Sequence, residues 1–282
     1  MKDIILIYLL ASLAYKFIWR RLVKFLNLSR IVSLPGRNVF GLVISGVNKP
    51  EIYVALTKLL AKYNVLPVNS LIVSRNGEVE ITTFLDFTSS KISPKKLSEE
   101  LKRIACIKNV EHIRPLSEGL IVDTYHFPLI VSGERACIFR KSVLKGLFRD
   151  IKEKFRDAGK VFLYYQGVKV GENVYEDYKK YVKTSRDILF LFAEAVKAIG
   201  WGIVEIVHAD FNEKIFLIKL YESIECELCK PANEPCGYFS KGIIAGLLSK
   251  LTNTSLKVNE IMCIAKGDPY CLFEAKPVKE NY

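Results

Sequence analysis

Cys236, Glu260, Cys263 and Cys271 stand in the pattern Cys-x23-Glu-x2-Cys-x7-Cys, and the last two cysteines bracket an Ala-Lys-Gly-Asp-Pro-Tyr turn that folds their sulfurs toward one point. Three thiolates and one carboxylate fill a tetrahedral zinc shell, and with no position left for water such a site is structural. Buried free cysteines acting as small hydrophobes are the alternative. The Gly-Asp-Pro turn favours the metal. Cys226-Glu-Leu-Cys229 lies close by. This pair can bind a metal of its own, compete for the first site, close as a disulfide or stay unliganded. Thiolate clusters also suit iron, so an iron or iron–sulfur centre stands as an alternative to zinc.

Aromatic residues concentrate in the same half of the chain, where they can line an apolar pocket with a few hydroxyls or simply pack a core. Trp201, His208, Tyr221 and Tyr238 are the candidate ligand contacts. His208 shares an expected strand face with Val204 and Ile206, and points inward if they do. No catalytic residue is assigned. Gly167-Val-Lys-Val-Gly171 lacks the third glycine and the strand-turn-helix setting of a dinucleotide fingerprint.

The run Pro-Cys236-Gly-Tyr-Phe-x-x-Gly242, followed by Val258-Asn-Glu260-x-x-Cys263-x-x-x-Gly267-Asp268-Pro-x-Cys271-x-Phe273, resembles the 4-vinyl reductase domain, over roughly Tyr125 to Pro277. The resemblance implies an α/β small-molecule-binding domain, found in bacteriochlorophyll biosynthesis proteins and in aromatic-responsive transcription activators. It also implies a fold similar to subunits of the TRAPP vesicle tether. In the zinc-containing sensors a Cys, a Glu and two further Cys hold the metal in this order, which implies Cys236, Glu260, Cys263 and Cys271 as ligands. The polar pair that contacts phenol in those sensors has no match here.

Something must position these residues, and 282 residues, half of them apolar, suffice for two domains. One Gln and two Met among abundant Lys, Ile and Val suggest a thermophilic, archaeal source. The net charge of +12 is spread along the chain with no helix-turn-helix or basic zipper, so direct nucleic-acid binding is not expected.

Residues 1–33 form the first segment. Its stretch Ile4 to Trp19 is apolar except for Ser12 and Lys16, and runs into Arg20, Arg21 and Lys24. Three readings fit residues 4–28: a short membrane anchor whose basic flank holds the remainder in the cytoplasm, a dimerisation or core-packing helix, or an interfacial helix with Leu22, Phe25 and Leu26 on its apolar side. The expected location is the cytoplasm, with attachment to the cytoplasmic face of the membrane left open.

Residues 34–117 read as strand, helix, strand, strand, helix, strand. Asn76-Gly77 marks a hairpin and Ser93-Pro94 a helix start. The order βαββαβ predicts a ferredoxin-like sheet covered by two helices. This segment resembles an ACT domain, which implies small-effector binding at a dimer interface; here Glu51 stands where the family's glycine lets a ligand approach, so a dimerising scaffold is an equal reading. Ser117-Glu-Gly119 marks the boundary to residues 118–282. There Lys141 to Arg156 reads as an amphipathic helix with Val143, Leu144, Leu147, Phe148, Ile151 and Phe155 on one face.

The fold class is therefore α+β: an N-terminal helix, an ACT-like domain and a 4-vinyl reductase-like domain. The expected function is non-enzymatic sensing of an apolar, aromatic or lipid-like small molecule by a homodimeric regulatory protein with structural zinc. An auxiliary subunit of a reductase or metabolic pathway and a TRAPP-like tethering scaffold are the alternatives.

Overall fold

The computed structural model describes residues 26–278, which form two compact units dividing between Cys137 and Ile138. The apolar helix expected before Leu34 falls largely outside the described residues, and its membrane and dimer readings fall there with it. Among the described residues no helix is long and apolar enough to cross a membrane.

The first unit opens with a short strand, β1 (Ile31–Ser33), and continues through β2 (Val39–Val47), α1 (Pro50–Lys62), β3 (Leu66–Arg75), β4 (Glu78–Asp86), α2 (Pro94–Lys102) and β5 (Ile107–Ile113). This is the expected βαββαβ order, folded as an antiparallel sheet β3-β4-β2-β5 in the ferredoxin-like, ACT-like manner. Asn76 and Gly77 join β3 to β4 with φ of 53° and 78°, the two-residue turn that matches strand twist. Ser93 caps α2 by accepting from the Lys96 N–H at 3.3 Å, and Pro94 takes the first turn, where its missing N–H leaves no bond unmade. Ile52, Leu56 and Leu60 of α1, with Leu97 and Leu101 of α2, pack on Leu42, Ile44, Ile81 and Leu85. Alternation sends Val43 to the other face, where Val32 of β1 and Ile121 of β6 (Leu120–Val122) cover it. The unit runs past the Ser117-Glu-Gly119 turn to include a hairpin, β7 (Leu129–Val131) and β8 (Glu134–Ala136).

The second unit holds α3 (Lys141–Leu144), a π-helical turn (Lys145–Asp150), α4 (Ile151–Tyr178) and α5 (Ser185–Ala198). The hairpin β9 (Ile203–Asp210) and β10 (Ile215–Tyr221) follows, then α6 (Ile224–Glu227), α7 (Tyr238–Thr252), β11 (Leu256–Met262) and β12 (Cys271–Pro277). Its sheet is antiparallel in the order β11-β12-β10-β9. Ile188 and Phe192 of α5 and Ile244, Leu247 and Leu248 of α7 share a core with Phe216, Ile218, Val258 and Phe273.

The regular amphipathic helix expected from Lys141 to Arg156 is not what forms. The π-helical turn, bonded i→i+5, changes the period that a 3.6-residue stripe needs. Leu144 and Phe148 are buried, whereas Val143, Leu147 and Phe155 are about half exposed. The run ends where Arg156 leaves helical geometry, at φ 49° and ψ −125°. Beyond it, the glycines of Gly167-Val-Lys-Val-Gly171 serve a helix crossing. A Cβ at Gly167 would lie 2.2 Å from the Phe239 carbonyl oxygen and one at Gly171 2.1 Å from that of Ile243. Gly242 and Gly246 of α7 answer them, 2.1 Å from the carbonyl oxygens of Tyr164 and Val168. The α4 and α7 backbones touch, and this contact fixes where α7 begins.

Candidate metal centre

Each cysteine of the cluster is set by a local device. Ser223 caps α6, its Oγ accepting from the Cys226 N–H at 3.4 Å, so Cys226 sits in the helix and Cys229 just beyond it. Cys236 and Gly237 lead into α7. The pairing of β11 with β12 slips between Glu260 and Met262, which leaves Ile261 exposed while Glu260 turns inward. Cys263 follows β11. A single 3₁₀ turn, Ile264–Lys266, reverses the chain, and Asp268 Oδ2 pins it by accepting from the Cys263 N–H at 2.7 Å. Cys271 then opens β12.

These devices bring the donor atoms of Cys226, Glu260, Cys263 and Cys271 within 4.8 Å of one another, a group that can hold a metal ion. Of the set expected from spacing, Glu260, Cys263 and Cys271 come together as expected, and the fourth member of this group is Cys226. Cys236 is adjacent, its Sγ 4.0 Å from that of Cys263. Cys226 and Cys229 thus do not form an isolated pair: Cys226 enters the cluster, and Cys229 lies beside Cys236.

Two buried charged groups that spacing did not reveal support the centre. Lys152 of α4 donates to Cys229 Sγ at 2.9 Å and to the Cys236 carbonyl at 2.8 Å. The wholly buried Glu225 accepts from the N–H groups of Phe239 and Ser240 at 2.9 and 2.8 Å and from Ser240 Oγ at 2.7 Å, capping α7 from outside its own segment. Neither carries a periodic or motif signal, because each works across long sequence separation.

The electrostatics are those of crowded donors. Burial, reinforced by the Cys263 thiolate, pushes Glu260 up to about 8, against the Gly237 N–H that donates to it at 2.8 Å. Thiols of Cys226, Cys236 and Cys271 donate to Cys263 and hold it far down, while Cys236 is forced up by its Cys226, Cys229 and Cys263 neighbours. Cys229 is pulled down to about 6 by the Cys236 thiol, with Lys152 helping against burial. A divalent ion relieves this crowding by replacing protons among the sulfurs.

The candidate ligand contacts separate into three places. Trp201 packs edge-on against Phe148 and tilted against Phe239, both at 5.5 Å, and its Nε1 donates to Ser240 Oγ at 3.1 Å. Tyr238 belongs to the same cluster, with Leu144, Leu163 and Leu228, and its ring lies beneath the ammonium groups of Lys241, Lys152 and Lys160 at 4.9, 5.7 and 5.9 Å. Tyr221 stands apart, donating to Glu205 at 2.6 Å and meeting Tyr270 edge-on at 5.4 Å. His208 is exposed. The inward orientation expected for it fails because a bulge in β9 breaks the alternation: Val204 and Ile206 face the core, and beyond the bulge Ala209 does so in place of His208.

Residues 216–277 match the family model of the 4-vinyl reductase domain. An uncharacterized protein of Methanocaldococcus jannaschii is 32% identical over 183 residues, covering 63% of this chain and 69% of its own. Among solved structures the chain is similar to the phenol-responsive sensory domain of the transcription activator PoxR with phenol, at 16% identity and a TM-score of 0.48, over 52% of this chain and 79% of that one. It is also similar to a vinyl-4-reductase family protein from M. jannaschii, at 26% identity and a TM-score of 0.33, over 42% and 68% of the two chains.

Proposed function

The chain belongs to the 4-vinyl reductase domain family, and on that premise we propose that its second unit senses a small apolar or aromatic molecule by binding it, without turnover, and that a structural zinc ion holds the sensing domain together. The observation that carries the reading is the continuity between the thiol cluster and the aromatic cluster. Cys236 and Gly237 lead directly into Tyr238, Phe239 and Ser240, and Lys152 reaches from the cysteines to the Tyr238 ring. A ligand seated against Trp201 and Tyr238 would therefore press on the segment that the metal anchors. Lys241, half-buried between the Tyr164 and Tyr238 rings, offers a cation to a polar or anionic group on such a ligand.

Zinc suits the donors. Zinc–thiolate bonds of about 2.3 Å place the sulfurs of a tetrahedral site about 3.8 Å apart, close to the 4.0 Å between Cys236 and Cys263 and within the 4.8 Å span of the inner group. Glu260, Cys263 and Cys271 would supply three ligands, and Cys226 or Cys236 the fourth. Bound zinc contributes its binding free energy to folding.

The test is thermal unfolding of the purified full chain against a panel of phenols, aromatic acids and fatty acids. A binding compound at a hundred times its Kd should stabilise by about 2.7 kcal/mol, and Trp201→Ala or Tyr238→Ala should change which compounds do so. A panel without any stabilising compound would overturn the sensing reading.

Pairing of two copies through the first unit completes the proposal. Among the described residues β3 is an edge strand, and Leu66, Val68, Leu71, Ile72 and Val73 are exposed along it. An apolar edge of this kind is a ready template for another strand. Light scattering of the full chain should give twice its mass of 32.1 kDa; a monomer would refute the pairing.

A further inference from the structure

We propose that the thiol cluster holds two zinc ions, with Cys226 and Cys263 as bridging thiolates and with Cys229 and Cys236 completing the second ion's shell. The inference rests on the zinc reading above and extends it from one ion to two.

The first shell is the group Cys226, Glu260, Cys263 and Cys271, which is already four donors without Cys236. The second comes from the neighbours of Cys236. Its Sγ is 4.0 Å from Cys263, a tetrahedral edge, and its thiol lies in hydrogen-bonding reach of those of Cys226 and Cys229 as well. Cys226, Cys229, Cys236 and Cys263 are thus a second set of four, and it shares Cys226 and Cys263 with the first.

Six donors supply eight coordination positions when two of them bridge, which is what two tetrahedral ions joined along an edge require. One ion would use four of the six and leave two thiols crowded against it with no partner of opposite charge. The charges lead to the same conclusion. Five thiolates and Glu260 carry six negative charges, of which two divalent ions would offset four and Lys152, 2.9 Å from Cys229 Sγ, a fifth. A single ion with Lys152 offsets three, which leaves a large uncompensated charge in a buried site.

The backbone is cut to this crowding. A Cβ at Gly237 would fall 3.0 Å from Glu260 Oε2 and 3.2 Å from Cys226 Sγ, so the chain between the two sets has room for glycine alone without displacing a donor. Cys226 and Cys229, three residues apart around one helical turn, present both sulfurs to the same side. The Cys-x2-Cys pair is then the outer half of one centre.

The experiment is zinc content per chain, measured on full-length protein purified under reducing conditions with zinc as the only added metal and freed of excess ion by gel filtration. The wild type should carry two ions, and Cys229→Ser and Cys236→Ser one each. One ion in the wild type overturns the two-ion centre and leaves the structural zinc standing, whereas none overturns both. Two ions in both variants place the second ion elsewhere and also overturn the proposal. Cobalt substitution keeps the question open to test if a variant fails to fold. In the wild type, bridged ions should couple, so the paramagnetic signal at two equivalents should fall below that at one. A signal that doubles means separate ions and refutes the bridge.

Discussion

Replacing Gly242 with alanine should destabilise the second unit, although alanine is the better helix former. The substitution places a methyl group 2.1 Å from the Tyr164 carbonyl oxygen and 2.9 Å from the Val168 nitrogen, where ordinary contact begins at 3.4 Å. The obstructing atoms are backbone in the middle of α4, so no side chain can swing aside, and the helices must separate locally by about 1.3 Å. Overpacking usually costs about 1–3 kcal/mol, and here the top of that range applies, because Gly167, Gly171 and Gly246 share the crossing and their close contacts open with it. Helix propensity returns about 1 kcal/mol. The net loss is about 2 kcal/mol, which for a unit of this size lowers its unfolding midpoint by roughly 4–8 °C. The assay is thermal unfolding followed by circular dichroism on the metal-loaded chain. Gly146→Ala, in the π-helical turn where a Cβ meets nothing within 4 Å, is the control and should be neutral or stabilising by up to about 1 kcal/mol. If Gly242→Ala unfolds at or above the wild type, the backbone-contact argument is wrong.

Zinc removal by a chelator should unfold the second unit while the first keeps its sheet, read as loss of protection in residues 203–277 by hydrogen exchange; equal protection with and without metal would remove the structural role. Glu225→Ala should cost about 2–3 kcal/mol by leaving the buried N–H groups of Phe239 and Ser240 without an acceptor, and Glu225→Gln, which keeps one acceptor oxygen, distinctly less; equal urea midpoints for the two variants would contradict the capping role. In the first unit, burial works to raise Asp123. Hydrogen bonds from His126 and the Tyr125 N–H outweigh it and hold Asp123 below the ordinary 3.8, with Arg30 paired at 2.5 Å. A depressed carboxyl stabilises above its unfolded pKa and loses that contribution as pH falls through the folded value. Asp123→Asn should therefore lower stability by about 1–3 kcal/mol at pH 6 and flatten the loss between pH 4 and 2, measured by urea unfolding; an unchanged acid limb would refute the linkage.

The βαββαβ unit was legible because its signals are local. Asn76-Gly77 fixes a hairpin by its own dihedral preference, Ser93-Pro94 starts a helix by its own donors and acceptors, and β2 and β4 read as apolar runs. β1, β6, β7 and β8 were not legible, since three residues are too few to show alternation, and so the extent of the first unit to Cys137 did not emerge from the Ser117 turn. The helix from Lys141 misled because its apolar spacing assumed one period throughout, and the π-helical turn changes that period without any residue that announces it. Gly167 and Gly171 were visible as a pair, but their use depends on Gly242 and Gly246, which lie some seventy-five residues on.

The cluster divides by the same physical criterion. Glu260, Cys263 and Cys271 lie on a strand, a turn and the next strand, so their spacing is enough to bring them together. Cys226 joins them only because the Ser223 cap and the Glu225 carboxylate lock α6 against the start of α7, and no spacing rule carries that tertiary contact. Cys236 shows the converse: its place in the motif is right, and its sulfur does stand beside Cys263, yet the inner shell closes without it. A motif that counts four ligands is satisfied by either thiol, whereas the folded chain supplies both, together with Cys229 and the lysine that faces it. Spacing therefore reads a single-ion site, while burial and charge compensation among all six donors favour a centre with room for a second ion.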